Sequence, residues 1–195
     1  IILKNEMLTY PKNKTIFEQV NRYKKKFKPQ LDTSLSQSTI SRFFDLHKQG
    51  RTKEVITNLE ILLRTNPSDY YVLNLLGTFY GLTKNFVNAI KFQKYSIKLN
   101  PFDENNYLNL AISLEQNGNL DLSLPFLEIG KLLDPHNINI NQQLAKIYYK
   151  LGKYSQATFI YESLTKLKKN NSSIMLNYIR SLIKTNELQK ALSIL

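Results

Sequence analysis

Apolar residues recur along most of the chain at positions i, i+3, i+4 and i+7, the spacing that gathers them on one side of an α-helix. The clearest stripes consist of Leu73, Leu76, Gly77 and Tyr80, and of Tyr107, Leu110, Ala111 and Leu114. This pattern predicts an all-α fold without β-strands. The predicted helices lie near residues 37–49, 52–65, 70–82, 86–99, 104–117, 120–133, 138–151, 154–168 and 172–185.

Three Asn/Asp–Pro pairs follow one another at intervals of 34 residues, which indicates an internal repeat. They are Asn66-Pro67, Asn100-Pro101 and Asp134-Pro135. Small residues keep the same register in three further sets. The sets are Gly50, Gly118 and Gly152; Gly77, Ala111 and Ala145; and Ala89, Ser123, Ala157 and Ala191. Each repeat therefore spans two predicted helices, which we call helix A and helix B.

Each of these recurring residues has a physical role. A glycine after helix A supplies the left-handed backbone conformation that commonly ends a helix, and Lys84 and Asn186 occupy this slot in two repeats. The Asn/Asp–Pro pair ends helix B, because proline pushes the preceding residue out of the α region. Small residues on both helices allow the helix axes to approach closely. The repeat is therefore predicted to be an antiparallel helix hairpin.

The stretch YYVLNLLGTFYGLTKNFVNAIKFQKYSIKLNP, residues 70–101, closely resembles the tetratricopeptide repeat (TPR) family. The resemblance implies a right-handed superhelical solenoid of antiparallel helix pairs, whose A helices line a concave groove. We divide the array into repeats at 36–69, 70–103, 104–137 and 138–171, with a truncated repeat at 172–195. Residues 1–35 are interpreted as the end of a preceding helical repeat and a linker.

Two features depart from the repeat pattern. Phe43 and Val55 stand where small residues are usual, so the two helices of the 36–69 repeat should lie further apart. Pro125 falls about one turn into a helix B, where it removes an intrahelical hydrogen bond and could tighten or kink the start of the helix.

The formal net charge of +12 is concentrated at the two ends of the sequence. Residues 36–137 are neutral, with ten basic and ten acidic side chains. Most of the bases are lysine, whereas arginine supplies most geometric recognition of phosphates and base edges. RNA binding by helical repeats is therefore a disfavoured alternative. The chain has no cysteine, which excludes a disulfide framework and a cysteine-based metal site.

No catalytic motif is present: the sequence has no P-loop, G-x-G-x-x-G, H-E-x-x-H or G-x-S-x-G. The two histidines, His47 and His136, are isolated from each other and are interpreted as structural or solvent-exposed. We therefore expect no catalytic residue, no metal site and no cofactor in this segment.

The candidate functional residues lie on the A helices. The sixth residue of successive repeats is Ser41, Leu75, Asn109, Gln143 and Asn177. The amides of Asn109, Gln143 and Asn177 resemble the asparagine ladder of the O-linked N-acetylglucosamine transferase superhelix, in which primary amides bind the backbone of an extended peptide. Leu75 interrupts the ladder, and the neighbouring Asn74 is the candidate that replaces it.

Four cations extend the candidate groove towards its C-terminal end. Lys146 and Lys150 are four residues apart on one A helix, and Arg180 and Lys184 hold the same positions on the next. These side chains favour an acidic or phosphorylated ligand segment. The carboxylate clamp of chaperone-binding TPR proteins is not reproduced, because Ile40, Ser41, Phe44, Asn74 and Thr78 do not match its pattern.

The predicted function is a protein- or peptide-binding scaffold. The alternative is the substrate-recruiting N-terminal arm of a bacterial sulfotransferase or glycosyltransferase, with the catalytic domain outside this segment. We expect a cytoplasmic location without a membrane span, and further repeats or a catalytic domain in the same chain. Without such neighbours, apolar side chains should be exposed at both ends, on Ile1, Ile2, Leu3, Leu192, Ile194 and Leu195.

Overall fold

The computed structural model describes residues 35–168 and 171–194, together with Glu18 and Arg22. Within these ranges all regular structure is helical, as predicted. The helices are α1 (Gln37–Lys48), α2 (Thr52–Thr65), α3 (Tyr70–Leu82), α4 (Phe86–Leu99), α5 (Glu104–Gln116), α6 (Leu120–Leu133), α7 (Ile138–Lys150), α8 (Tyr154–Leu167), α9 (Ser172–Lys184) and α10 (Leu188–Leu192). The first nine agree with the predicted bounds to within one residue. The interpretation of residues 1–34 lies outside the described residues, apart from Glu18 and Arg22.

The described helices form five successive pairs, each of an A helix followed by a B helix, and the pairs stack into a solenoid of the tetratricopeptide type. Helices α1, α3, α5, α7 and α9 are the A helices. Each of the B helices α2, α4, α6 and α8 packs between its own A helix and the next one, and α10 packs against α9. Helix α3 also contacts α5 directly, and α5 contacts α7, so these A helices form a continuous layer. None of the described helices is long and apolar enough to cross a membrane.

The helix ends have the chemistry that the sequence predicts. The residue in the slot after each A helix has a positive φ angle in all five repeats, which confirms the predicted left-handed conformation. The angles are 80° at Gly50, 62° at Lys84, 82° at Gly118, 74° at Gly152 and 63° at Asn186. At the opposite end, the side chains of Ser36, Asn137 and Asn171 each accept a bond from a main-chain N–H three residues later. These caps satisfy N–H groups that have no partner within the helix.

The core runs along the interface between the two helix layers. The small residues Ala89, Ala111, Ala145 and Ala157 are fully buried, as the close-approach prediction requires. Gly77 has the least room of the six glycines: a Cβ atom there would lie 2.7 Å from Cγ of Gln93 and 3.0 Å from the carbonyl oxygen of Ala89. Helices α1 and α2, which carry Phe43 and Val55, pack less closely against each other than the two helices of any other complete pair, which agrees with the wider spacing expected of them.

Two tyrosine–glutamate bonds join a B helix to the following A helix. The Tyr80 hydroxyl donates to Glu60 at 2.6 Å, and the Tyr148 hydroxyl donates to Glu128 at 2.9 Å. Burial and the neighbouring carboxylate raise the pKa of Tyr80 to about 12, so the hydroxyl stays protonated and remains a donor.

Two further expectations concern Pro125 and the C-terminal residues. Helix α6 continues from Leu120 to Leu133 through Pro125, so the proline does not break it. Leu192 is 70% exposed, in line with the prediction, whereas Ile194 is half-buried. Ile1, Ile2, Leu3 and Leu195 lie outside the described residues.

Candidate functional site

Side chains from successive A helices meet along one surface of the solenoid. We call this the inner surface and define it as the sixth, ninth, twelfth and thirteenth residues of each 34-residue repeat, with Asn74 at the fifth position of the repeat that contains α3. Its seams are the lines where neighbouring A helices face each other. Polar contacts cross the α3/α5 and α5/α7 seams, and the basic residues cluster at the α5/α7 and α7/α9 seams.

At the α3/α5 seam the structure brings two of the predicted amides together. Asn109 Nδ2 donates to Asn74 Oδ1 at 3.1 Å and lies 3.5 Å from Thr78 Oγ1. Asn74 is only 8% exposed, whereas Asn109 is half-buried. Leu75 is buried in the core, so it takes no part in the polar row. Asn74 therefore holds the side chain of Asn109 in place, and Asn109 is the amide that reaches solvent.

At the α5/α7 seam three predicted site residues converge on a carboxylate that the sequence analysis missed. Glu115 accepts bonds from Gln143 Nε2, from Lys146 Nζ at 3.0 and 3.1 Å and from Lys150 Nζ at 2.6 Å. The side chain of Glu115 is 3% exposed, and those of the two lysines are 45% and 47% exposed. The structure thus pairs Lys146 and Lys150 with an acid from the preceding repeat.

The electrostatics of this cluster favour the ionised carboxylate. Burial by itself raises the pKa of Glu115, but the bonds from Lys150, Lys146 and Gln143 outweigh it and hold the pKa below its usual value. A carboxylate that accepts several charge-assisted bonds is a strongly bound group, which explains how an acid can lie at the seam.

At the α7/α9 seam the last three candidates lie together without such an acid. Arg180 Nη1 is 3.5 Å from Asn177 Oδ1, and Lys184 Nζ lies 5.9 Å from the ring centroid of Tyr154. Arg180 and Lys184 are exposed, and in the part of the chain that the structure describes neither forms an ion pair. Of the four predicted cations, Arg180 and Lys184 are thus the two that form no ion pair within the described part of the chain.

The histidines have the structural and solvent-exposed roles that the sequence suggests. His47 Nδ1 lies 2.8 Å from Thr52 Oγ1, and its ring packs edge-on against Phe79. His136 is exposed at the turn before α7. Among residues 35–168 and 171–194, no group of three His, Asp or Glu side chains could hold a metal ion.

Comparisons with known proteins agree with this architecture. Residues 138–171 match the sequence profile of the tetratricopeptide repeat. MamA from Desulfovibrio magneticus RS-1 is similar at a TM-score of 0.71 and 14% identity, over 79% of this chain and 87% of that one. TTC0263, a thermophilic TPR protein of Thermus thermophilus, is similar at a TM-score of 0.64 and 19% identity, over 81% of this chain and 87% of that one.

A third similar structure is YrrB, described as a TPR protein with an unusual peptide-binding site. It is similar at a TM-score of 0.66 and 13% identity, over 91% of this chain and 89% of that one. No curated protein matches the sequence significantly. The chain is thus a tetratricopeptide-type repeat solenoid, and residues 138–171 are a tetratricopeptide repeat by sequence as well as by structure.

Proposed function

We propose that this chain is a protein-binding scaffold whose inner surface holds an extended segment of a partner protein. The observation that carries the proposal is the row of half-buried amides Asn109, Gln143 and Asn177, at the same position of three successive A helices. A primary amide has both donors and an acceptor, which are the complement of a polypeptide main chain. Such a row can hold many sequences, because every extended segment presents the same main-chain groups.

The contacts within the row support different roles for its members. Asn74 and Glu115 fix Asn109 and Gln143 in orientation, so less side-chain entropy is lost when a ligand binds. Asn177, together with Lys146, Lys150, Arg180 and Lys184, lies at the C-terminal end of the surface, where the cations supply a positive charge. That charge favours an acidic partner segment. The similarity to YrrB supports a peptide ligand at the level of the fold.

The proposal is tested with a labelled peptide selected against the chain from a random peptide library. Replacing Asn109, Gln143 and Asn177 together by Ala should weaken binding by about tenfold or more, because each lost hydrogen bond contributes roughly 0.5–1.5 kcal/mol. The matched control replaces Asn58, Asn88 and Gln156 by Ala, which removes the same amides from the B helices. Equal loss of affinity in both triple variants would contradict the proposal.

The transferase-arm alternative uses the same surface, which would then present an acceptor segment to a catalytic domain outside residues 1–195. The amino-acid sequence that adjoins this segment in the intact protein separates the two roles, because only the arm requires a transferase domain in the same polypeptide. The cytoplasmic location stays a prediction, and cell fractionation tests it.

A further inference from the structure

The cluster around Glu115 reveals how this solenoid holds a carboxylate between two A helices. The donors are the sixth, ninth and thirteenth residues of α7, which are Gln143, Lys146 and Lys150. The acid is the twelfth residue of the preceding A helix, α5. All three donors bind one carboxylate that is almost completely shielded from water.

The same three donor positions on α9 are occupied by side chains of the same type. Adding 34 to each number gives Asn177 for Gln143, Arg180 for Lys146 and Lys184 for Lys150. Helix α9 (Ser172–Lys184) begins and ends 34 residues after α7 (Ile138–Lys150), so each residue holds the equivalent position on its helix. An amide and two cations therefore recur with the spacing that binds Glu115.

The acid itself does not recur. Tyr149 stands at the twelfth position of α7, where α5 has Glu115, and its ring packs edge-on against Tyr154. Helices α7 and α9 also approach each other less closely than α5 and α7 do. The donor set of the α7/α9 seam thus has no carboxylate of the chain itself among the described residues.

We propose that Asn177, Arg180 and Lys184 form a subsite for the carboxylate of an Asp or Glu side chain in the bound partner segment. The ligand's carboxylate takes the position that Glu115 holds one repeat earlier. Arg180, which holds the position equivalent to Lys146, suits this role, because its planar guanidinium can bind a carboxylate through two parallel hydrogen bonds. The neighbouring Gln143, Lys146 and Lys150 are already engaged by Glu115, so the selectivity for acid lies at the α7/α9 seam. The inference rests on the proposed function and specifies which part of the inner surface reads charge.

Chemical-shift mapping on the full chain tests the subsite with a short acetyl-Gly-Glu-Glu-Gly-amide peptide and its glutamine counterpart. The glutamate peptide should shift the side-chain signals of Asn177 and Arg180, and the glutamine peptide should not. Arg180→Gln with Lys184→Gln should weaken binding of the glutamate peptide by about tenfold, because hydrogen bonds to charged groups contribute roughly 1.5–3 kcal/mol. The control is Lys94→Gln with Lys98→Gln, which removes two exposed charges from helix B α4. Equal losses in both double variants would overturn the subsite, since net charge alone would then explain binding.

A second pair of variants uses the repeat itself. Tyr149→Glu places an internal carboxylate at the position equivalent to Glu115 and should abolish binding of the glutamate peptide, whereas Tyr149→Gln should retain it. Glu115→Gln removes the carboxylate that binds Gln143, Lys146 and Lys150. These three donors should then be available to the glutamate peptide, which should also shift the side-chain amide of Gln143. Unchanged binding in Tyr149→Glu, or no new shift at Gln143 in Glu115→Gln, would overturn the inference. If library-selected peptides without acidic residues still bind the inner surface in those cases, only the subsite fails and the proposed function stands.

Discussion

Replacing either of two glycines one turn apart on α3 by alanine should have opposite effects on stability. Gly77 faces Gln93 and the main chain of Ala89, and a Cβ atom there would meet both at 3.0 Å or less. Gly81 has room: the nearest atoms to its Cβ would be Ser113 Oγ at 3.7 Å and Ala89 Cβ at 3.8 Å, which are ordinary contacts.

The magnitudes decide the sign at each site. Alanine in place of a helical glycine stabilises by roughly 0.5–1 kcal/mol, because the unfolded chain loses conformational freedom. Overpacking a tight core costs about 1–3 kcal/mol. At Gly77 the clash with main-chain atoms exceeds the gain, so Gly77→Ala should destabilise by about 1–2 kcal/mol. Gly81→Ala meets no clash and should stabilise the chain by up to about 1 kcal/mol. Gly81 lies next to the last residue of α3, and fraying of the helix end reduces this gain.

Urea denaturation followed by circular dichroism measures both effects. The midpoint should fall for Gly77→Ala and rise for Gly81→Ala, at an unchanged slope. Native-state hydrogen exchange provides the local readout, because repeat arrays unfold in parts. Protection of α3 and α4 should decrease in the first variant. A rise in the midpoint of Gly77→Ala would refute the packing between α3 and α4.

Two further predictions concern Glu115 and Lys84. The pKa of Glu115 is lowered on folding, so its ion pairs contribute stability above the usual carboxyl pKa of 4.5, and this contribution is lost as the pH falls through the lower folded value. Denaturation midpoints should therefore fall less between about pH 7 and pH 3 in Glu115→Gln than in the unmodified chain, and equal falls would contradict the cluster. Lys84 has a φ angle of 62°, so Lys84→Gly should stabilise by about 1 kcal/mol, and Asn186→Gly by less, because asparagine tolerates this conformation better. Thermal melts check the order, and a larger gain at Asn186 would be inconsistent with it.

The helices could be predicted from the sequence because each end is marked by local chemistry. A glycine, lysine or asparagine at the left-handed slot and a proline after helix B fix the register along the array. The 34-residue period then extends that register to repeats whose own markers are incomplete, such as the one that ends at α10. For this reason the predicted bounds of α1 to α9 needed almost no correction.

The contacts at the candidate site could not be read in the same way. Glu115 binds residues that lie 28 to 35 positions later, and their meeting depends on how successive A helices are offset in the superhelix. From the sequence, Lys146 and Lys150 are predicted to be available to a ligand. The acid that pairs with them, Glu115, lies about one repeat earlier, in the part of the chain with no net charge. The burial of Asn74 could not be predicted for a related reason. It depends on the next A helix, whose Asn109 contacts Asn74, and the local sequence around Asn74 does not indicate this contact.

The most direct test of the account is a chemical-shift map of the chain bound to a peptide selected from a random library. The largest changes should fall on the inner surface, with the side-chain amides of Asn109, Gln143 and Asn177 among them. Helices α4, α6 and α8 should change little outside their contacts with the A helices. Changes concentrated on the exposed face of these B helices, with the three amides unaffected, would contradict the central claim.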